Sequence, residues 1–81
     1  MATLNITYNG LSADYPLELD GDITDADVRR IAVEVVRSGN LVGLNIANLP
    51  AEAFAHYVVD RFKTGNNARI YLRPKVPFGA R

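Results

Sequence analysis

The chain has 81 residues, no cysteine and a formal net charge of zero, which allows one domain with one core and excludes disulfides, thiolate metal sites and cysteine nucleophiles. Apolar residues make up 48% of it and charged residues 22%, the balance of a globular chain and not of a disordered one. No apolar run reaches the length that crosses a bilayer, and the opening MATLNITYNG has neither a basic leader nor an apolar h-region, so a cytoplasmic protein with no membrane partner is expected.

The first local signal is Asn9-Gly10. Asn-Gly favours the type I′ turn of a two-residue hairpin, in which both central residues take positive φ. Pairing outward from that turn sets Tyr8 opposite Leu11, Ile6 opposite Ala13, Leu4 opposite Tyr15 and Ala2 opposite Leu17. These pairs are all apolar. The intervening ones, Thr7 with Ser12, Asn5 with Asp14 and Thr3 with Pro16, are polar or turn-prone, so one hairpin face reads as core and the other as wet. Pro16 has no amide hydrogen, which predicts an edge strand.

Beyond the acidic turn ELDGD, Thr24 reads as the N-cap of a helix, with Asp27 three residues on as a capping-box-like partner. Val28, Ile31, Ala32, Val35 and Val36 recur at helical spacing, leaving Asp27, Arg30, Glu34 and Arg37 on the opposite face. Gly39 ends the run. The short apolar stretch LVGLNI, residues 41 to 46, predicts a third strand. Pro50 and Glu52 then suit the first turn of a second helix running to about Lys63, with Ala51, Phe54, Ala55, Val58 and Phe62 as its apolar stripe. Gly65-Asn66-Asn67 reads as a turn, after which Ala68, Ile70 and Leu72 alternate with Arg69, Tyr71 and Arg73 in a last strand. The predicted order is ββαβαβ, an α+β fold with a mixed sheet and a helix packed on one face.

The charges are segregated. Asp14, Glu18, Asp20, Asp22, Asp25 and Asp27 are the charged residues up to position 27, whereas Arg61, Lys63, Arg69, Arg73, Lys75 and Arg81 are those from 61 onward. Such a division fits best with first and last elements lying side by side in one sheet and attracting one another, with electrostatic recognition of a partner as the alternative.

A hairpin, a helix across it and a late strand returning to the first resemble the β-grasp plan of the ubiquitin-like superfamily. The resemblance is carried by TLNITYNGLSADYPLEL, TDADVRRIAVEVVRSG and ARIYLR; it is one of element pattern and involves no diagnostic motif. It implies a single β-grasp domain over residues 1 to 73, followed by an extended tail over 74 to 81. Proteins of that superfamily are modifiers, sulfur carriers or interaction domains. The conjugating and sulfur-carrying members expose a tail ending in Gly-Gly, which an activating enzyme threads through a narrow channel. This chain departs from that pattern, because Gly79 is followed by Ala80 and Arg81 and preceded by the bulky Phe78. The resemblance therefore favours a non-catalytic protein-protein interaction module, with a covalent modifier or sulfur carrier, activated after processing near Gly79 by an activating enzyme or a protease, as the alternative.

For the module, the residues expected to bind another protein are Arg69, Tyr71 and Arg73 on one face of the last strand, and Lys75, Val76 and Phe78 in the tail. Tyr71 offers an amphipathic anchor flanked by guanidinium donors. The ordinary reading of the same strand is a solvated face that charge protects from aggregation. Pro74 and Pro77 oppose helix and continued pairing, while Val76 and Phe78 are apolar groups seeking cover. Nucleic acid is an unlikely partner for a neutral chain with one aromatic placed for stacking. No cofactor and no enzymatic activity are expected. His56, read on a helix between Glu52 and Asp60, is better explained as a solvated residue than as a ligand, and the acidic DGDITDAD stretch lacks the glycine and glutamate that a calcium loop needs. Deleting residues 74 to 81 is expected to leave the domain folded and to weaken partner binding; a much lower melting temperature, or unchanged binding, would refute the tail's role.

Overall fold

The computed structural model describes residues 2 to 18 and 23 to 75. Its elements are β1 (Ala2–Tyr8), β2 (Leu11–Leu17), α1 (Asp25–Ser38), β3 (Val58–Thr64) and β4 (Asn67–Arg73). The strands form one mixed sheet in the order β2-β1-β4-β3. β1 runs antiparallel to β2 and parallel to β4, and β3 is antiparallel to β4. One helix and one mixed sheet make this an α+β fold, in the order ββαββ.

The N-terminal hairpin pairs in the register that the sequence dictates, from Tyr8 opposite Leu11 to Ala2 opposite Leu17. Asn9 and Gly10 both take positive φ, 52° and 79°, as the type I′ turn requires. Ala2, Leu4, Ile6 and Leu17 are buried. β2 is an edge strand, which suits Pro16.

α1 begins at Thr24, whose hydroxyl accepts the Asp27 amide at 3.1 Å, and ends at Gly39 in the left-handed region. Val28, Ala32, Val35 and Val36 are buried against the sheet as the periodicity predicts; Val33 joins them, whereas Ile31 is only half-buried. Hydrogen bonding from Thr24, and then from Arg30, holds the Asp27 carboxyl below its ordinary value of 3.8.

Two predicted elements are absent from residues 40 to 57. The stretch 41 to 46 is not a strand. Gly43 has φ 87°, which interrupts extension, and Leu41 and Leu44, three residues apart, are both buried, whereas a strand would send them to opposite faces. The second helix does not form either. Pro50 and Glu52 start helical turns, seen as bonds from Ala53 N to Pro50 O, Ala55 N to Glu52 O and Tyr57 N to Phe54 O, at 3.0 to 3.1 Å. From Val58 onward the chain is instead strand β3. The adjacent β-branched Val58 and Val59 resist helix by tenths of a kcal/mol, and a full ladder with β4 from Val58 opposite Arg73 to Thr64 opposite Asn67 outweighs a helix of modest propensity. The order ββαβαβ is therefore corrected to ββαββ.

The segment between α1 and β3 is held by its own anchors. Leu41, Leu44, Leu49 and Phe54 are buried to 2% exposure or less. Phe54 stands edge-on to Tyr8, with centroids 5.7 Å apart, and to Tyr57 at 4.9 Å. Two arginines of α1 fix its backbone: Arg37 Nε donates to Leu49 O at 2.6 Å and an Arg29 guanidinium N–H to Tyr57 O at 2.9 Å. The Ile46 amide bonds Val36 O at 3.1 Å.

Phe54→Ala should cost about 3 to 5 kcal/mol, read as a lower urea midpoint; a change under about 1 kcal/mol would mean that the segment docks without its aromatic wedge. A depressed carboxyl pKa contributes stability in full above the ordinary value of 3.8 and loses it as pH falls through the folded-state value. In Thr24→Ala the Asp27 carboxyl should thus titrate closer to 3.8 in a carbon-detected NMR titration, and an unmoved midpoint would contradict the role of the cap.

Candidate functional site

The helix covers one face of the sheet. The other face is assembled from alternate residues of the four strands, and the registers arrange these in rows. Asp14, Asn5, Tyr71 and Asp60 lie in one row, and Pro16, Thr3, Arg69 and Phe62 in the next. Val58 stands opposite Arg73 at the β3 side.

On the β1-β2 half, short polar side chains bond to one another. Asn5 Nδ2 donates to Asp14 Oδ1 at 2.8 Å, Ser12 Oγ to Asn5 Oδ1 at 3.2 Å and Thr7 Oγ1 to Ser12 Oγ at 3.4 Å. On the β4-β3 half, Tyr71 is the centre of an aromatic-guanidinium cluster. Phe62 meets its ring edge-on at 5.5 Å. The Arg69 and Arg73 guanidinium carbons lie 5.5 and 6.0 Å from the ring centroid, within cation-π range. Arg69 Nε also donates to the Tyr71 hydroxyl at 2.9 Å. That contact, before any other cause, raises the pKa of Arg69 above its ordinary value.

Both arginines are held by carboxylates. Arg73 pairs with Asp60, its Nε at 2.9 Å from Oδ2, and Arg69 reaches Asp14 at 3.6 Å. Away from this face, Arg61 pairs with Asp25 at the start of α1, at 2.5 Å. Two ion pairs thus bridge the acidic early part of the chain and its basic end, one from β4 to β2 across β1 and one from β3 to α1.

The structure brings together Arg69, Tyr71 and Arg73, three of the residues singled out in the sequence. Lys75 is exposed just past the end of β4. Val76 and Phe78, and Gly79 of the carrier reading, lie outside the described residues. Phe62 is the member that sequence reasoning missed, because it fitted the stripe of the predicted second helix. It is 55% exposed, and shallow depressions lie on either side of it, one lined by Tyr71 and Arg73 and the other by Thr3, Thr64, Asn67 and Arg69 among others. The available signals were the β-branched and aromatic Val58, Val59 and Phe62 and the Gly65-Asn66 pair, which fits a two-residue hairpin turn.

His56 and Glu52 are exposed in the turns before β3, while Asp60 lies in β3 and holds Arg73. The expected helical grouping of these three is therefore not formed. Among the described residues no group of histidine and acidic side chains could hold a metal ion, and no helix is long and apolar enough to cross a membrane. Comparison with protein-family models, curated proteins and solved structures gave no significant match.

Proposed function

We propose that this chain is a small non-catalytic, ubiquitin-like β-grasp module that binds another protein through the outer face of its sheet. The hairpin, the helix across it and the parallel β1-β4 pair support the β-grasp part of the reading. The binding part rests on one observation above all: Phe62 and Tyr71 form an edge-on pair on a solvent-facing sheet surface, flanked by Arg69 and Arg73. Tyrosine and arginine are the residue types that most often dominate protein interfaces, because they combine large contact area with directional donors. Nothing in the core requires Phe62. It leaves more than half its surface in water, a cost that a partner would remove. Lys75 extends the basic character past the end of β4.

The double variant Phe62→Ser, Tyr71→Ser tests the reading. Affinity enrichment from the source cells, quantified by mass spectrometry, should lose at least tenfold of the proteins that the unaltered chain retains, and the urea midpoint should change little since both side chains lie outside the core. Equal retention by the variant would overturn the outer face as the binding surface. A native mass that matches a chain trimmed to Gly79, or a covalent adduct there, would replace the module with the carrier or modifier, whereas an intact Arg81 on all molecules would favour the module.

A further inference from the structure

We propose that the trough between α1 and the segment 49 to 57 binds a small organic dianion, with one anionic group at each of the two arginines that close its ends and an uncharged body between them.

The trough follows from how the segment is latched. Arg37 Nε bonds Leu49 O and an Arg29 guanidinium N–H bonds Tyr57 O, so the chain between those carbonyls runs back along the helix, from the later arginine to the earlier. Arg37 follows Arg29 by eight residues, which sets them about 12 Å apart along the helix axis. Between them lies an open trough of about 470 Å³, within the range of sites that take small molecules. Its apolar lining is short: Val33 from α1, and Ala51 and Ala55 from the turns. Longer side chains there would fill it.

The two latches leave most of each guanidinium unused. A guanidinium carries five N–H groups in a planar fork, and each latch occupies one of them. Among the described residues neither Arg29 nor Arg37 has a carboxylate within ion-pair distance, whereas Arg30, Arg61, Arg69 and Arg73 each have one. Arg29 Nε is moreover buried with no acceptor, and a buried cationic donor without a partner is costly. An anion seated against that guanidinium compensates its charge, and the terminal N–H groups offer the anion two parallel bonds.

Glu34 dictates where the charges of a ligand can lie. It lines the trough on the helix turn between the two arginines, and among the described residues no cation pairs with it. Arg30, at the Arg29 end, has its charge matched by Asp27. The Glu34 carboxylate repels an anion at the centre of the trough and leaves the two ends as the favourable positions. A ligand with one charge meets one arginine only. A dianion with a neutral middle meets both, keeps its charges away from Glu34 and covers Val33, Ala51 and Ala55. The trough runs along the helix and shares no residue with the outer face of the sheet, so either site can fail without the other.

The test titrates suberate, in which six methylene groups separate the carboxylates, into the 15N-labelled full chain at constant ionic strength. Backbone shifts should saturate and cluster at residues 29 to 37 and 49 to 57, and the Nε–H signals of both Arg29 and Arg37 should move. Octanoate, the same chain with one carboxylate, should bind about tenfold more weakly, the loss expected for one charge-assisted fork. Succinate, too short to reach both ends, should be weakened by a similar factor. Glu34→Gln should tighten suberate binding about twofold or more. Ala55→Leu, at an exposed position, should block the trough while the rest of the spectrum stays native, so the test does not depend on variants of the latching arginines. The proposal fails if suberate gives no saturating shift at about 20 mM, if octanoate, succinate or inorganic phosphate matches it, or if either variant binds it as the unaltered chain does. Shifts confined to Asn5, Phe62, Arg69 and Tyr71 would also end it, and would leave the outer-face module standing.

Discussion

The pairing of β1 on both of its edges is the constraint from which the rest follows. Leu4 and Ile6 have no exposed surface, and β1 bonds β2 on one side and β4 on the other. Because β4 is parallel to β1, no tight turn can join them; the chain must cross over, and α1 packs across the sheet in that crossover. A chain of this length supplies one helix of fourteen residues, enough to seal one face. The other face is left to solvent, and its side chains are exposed or half-buried.

The crossover explains why an irregular segment between α1 and β3 is tolerated. β3 must start at the end of the sheet where Asn9-Gly10 turns, since Val58 stands opposite Arg73 and Leu72 lies beside Ile6. The segment fills that end with Leu41, Leu44, Leu49 and Phe54. Its backbone carbonyls need partners, and α1 provides two of them, through Arg37 on its polar face and Arg29 at the flank of its apolar stripe. The helix is amphipathic in a fuller sense than its pattern conveys: its apolar stripe holds the sheet, and its arginines hold the loop.

The legibility of each element tracks how many local signals agree. Around Asn9-Gly10, turn chemistry and strict alternation specify one register, and that register forms. At α1 the cap, the periodicity and Gly39 agree, and the helix follows within a residue. Between 50 and 64 the signals conflict. Pro50, Glu52 and apolar residues at 51, 54, 55, 58 and 62 satisfy helical spacing, yet Val58, Val59 and Phe62 are also strand formers. The conflict is settled by pairing with β4 across the two-residue Gly65-Asn66 turn, a ladder that helical spacing within the segment does not register. That one misassignment hid Phe62 and gave His56 a setting it does not have, while Arg69, Tyr71 and Arg73 were legible because β4 was.

Charge shapes both exposed surfaces, in different ways. On the outer face the cations are already matched: Arg69 crosses the sheet to Asp14 and Arg73 takes Asp60 from its own hairpin. Exposed pairs of this kind contribute little stability, but they fix where the guanidinium groups sit relative to Tyr71. The face is accordingly close to neutral, and what distinguishes it is aromatic surface held between anchored donors. At the edges the protection differs in kind. Pro16 removes a donor from β2, which discourages any incoming strand whatever its composition. At β3 the exposed Arg61 and Lys63 set cations along the strand, and like charges discourage it from pairing with its own copy. A small sheet with one covered face can thus guard its two outer strands against self-association by different means, a missing donor on one and charge on the other.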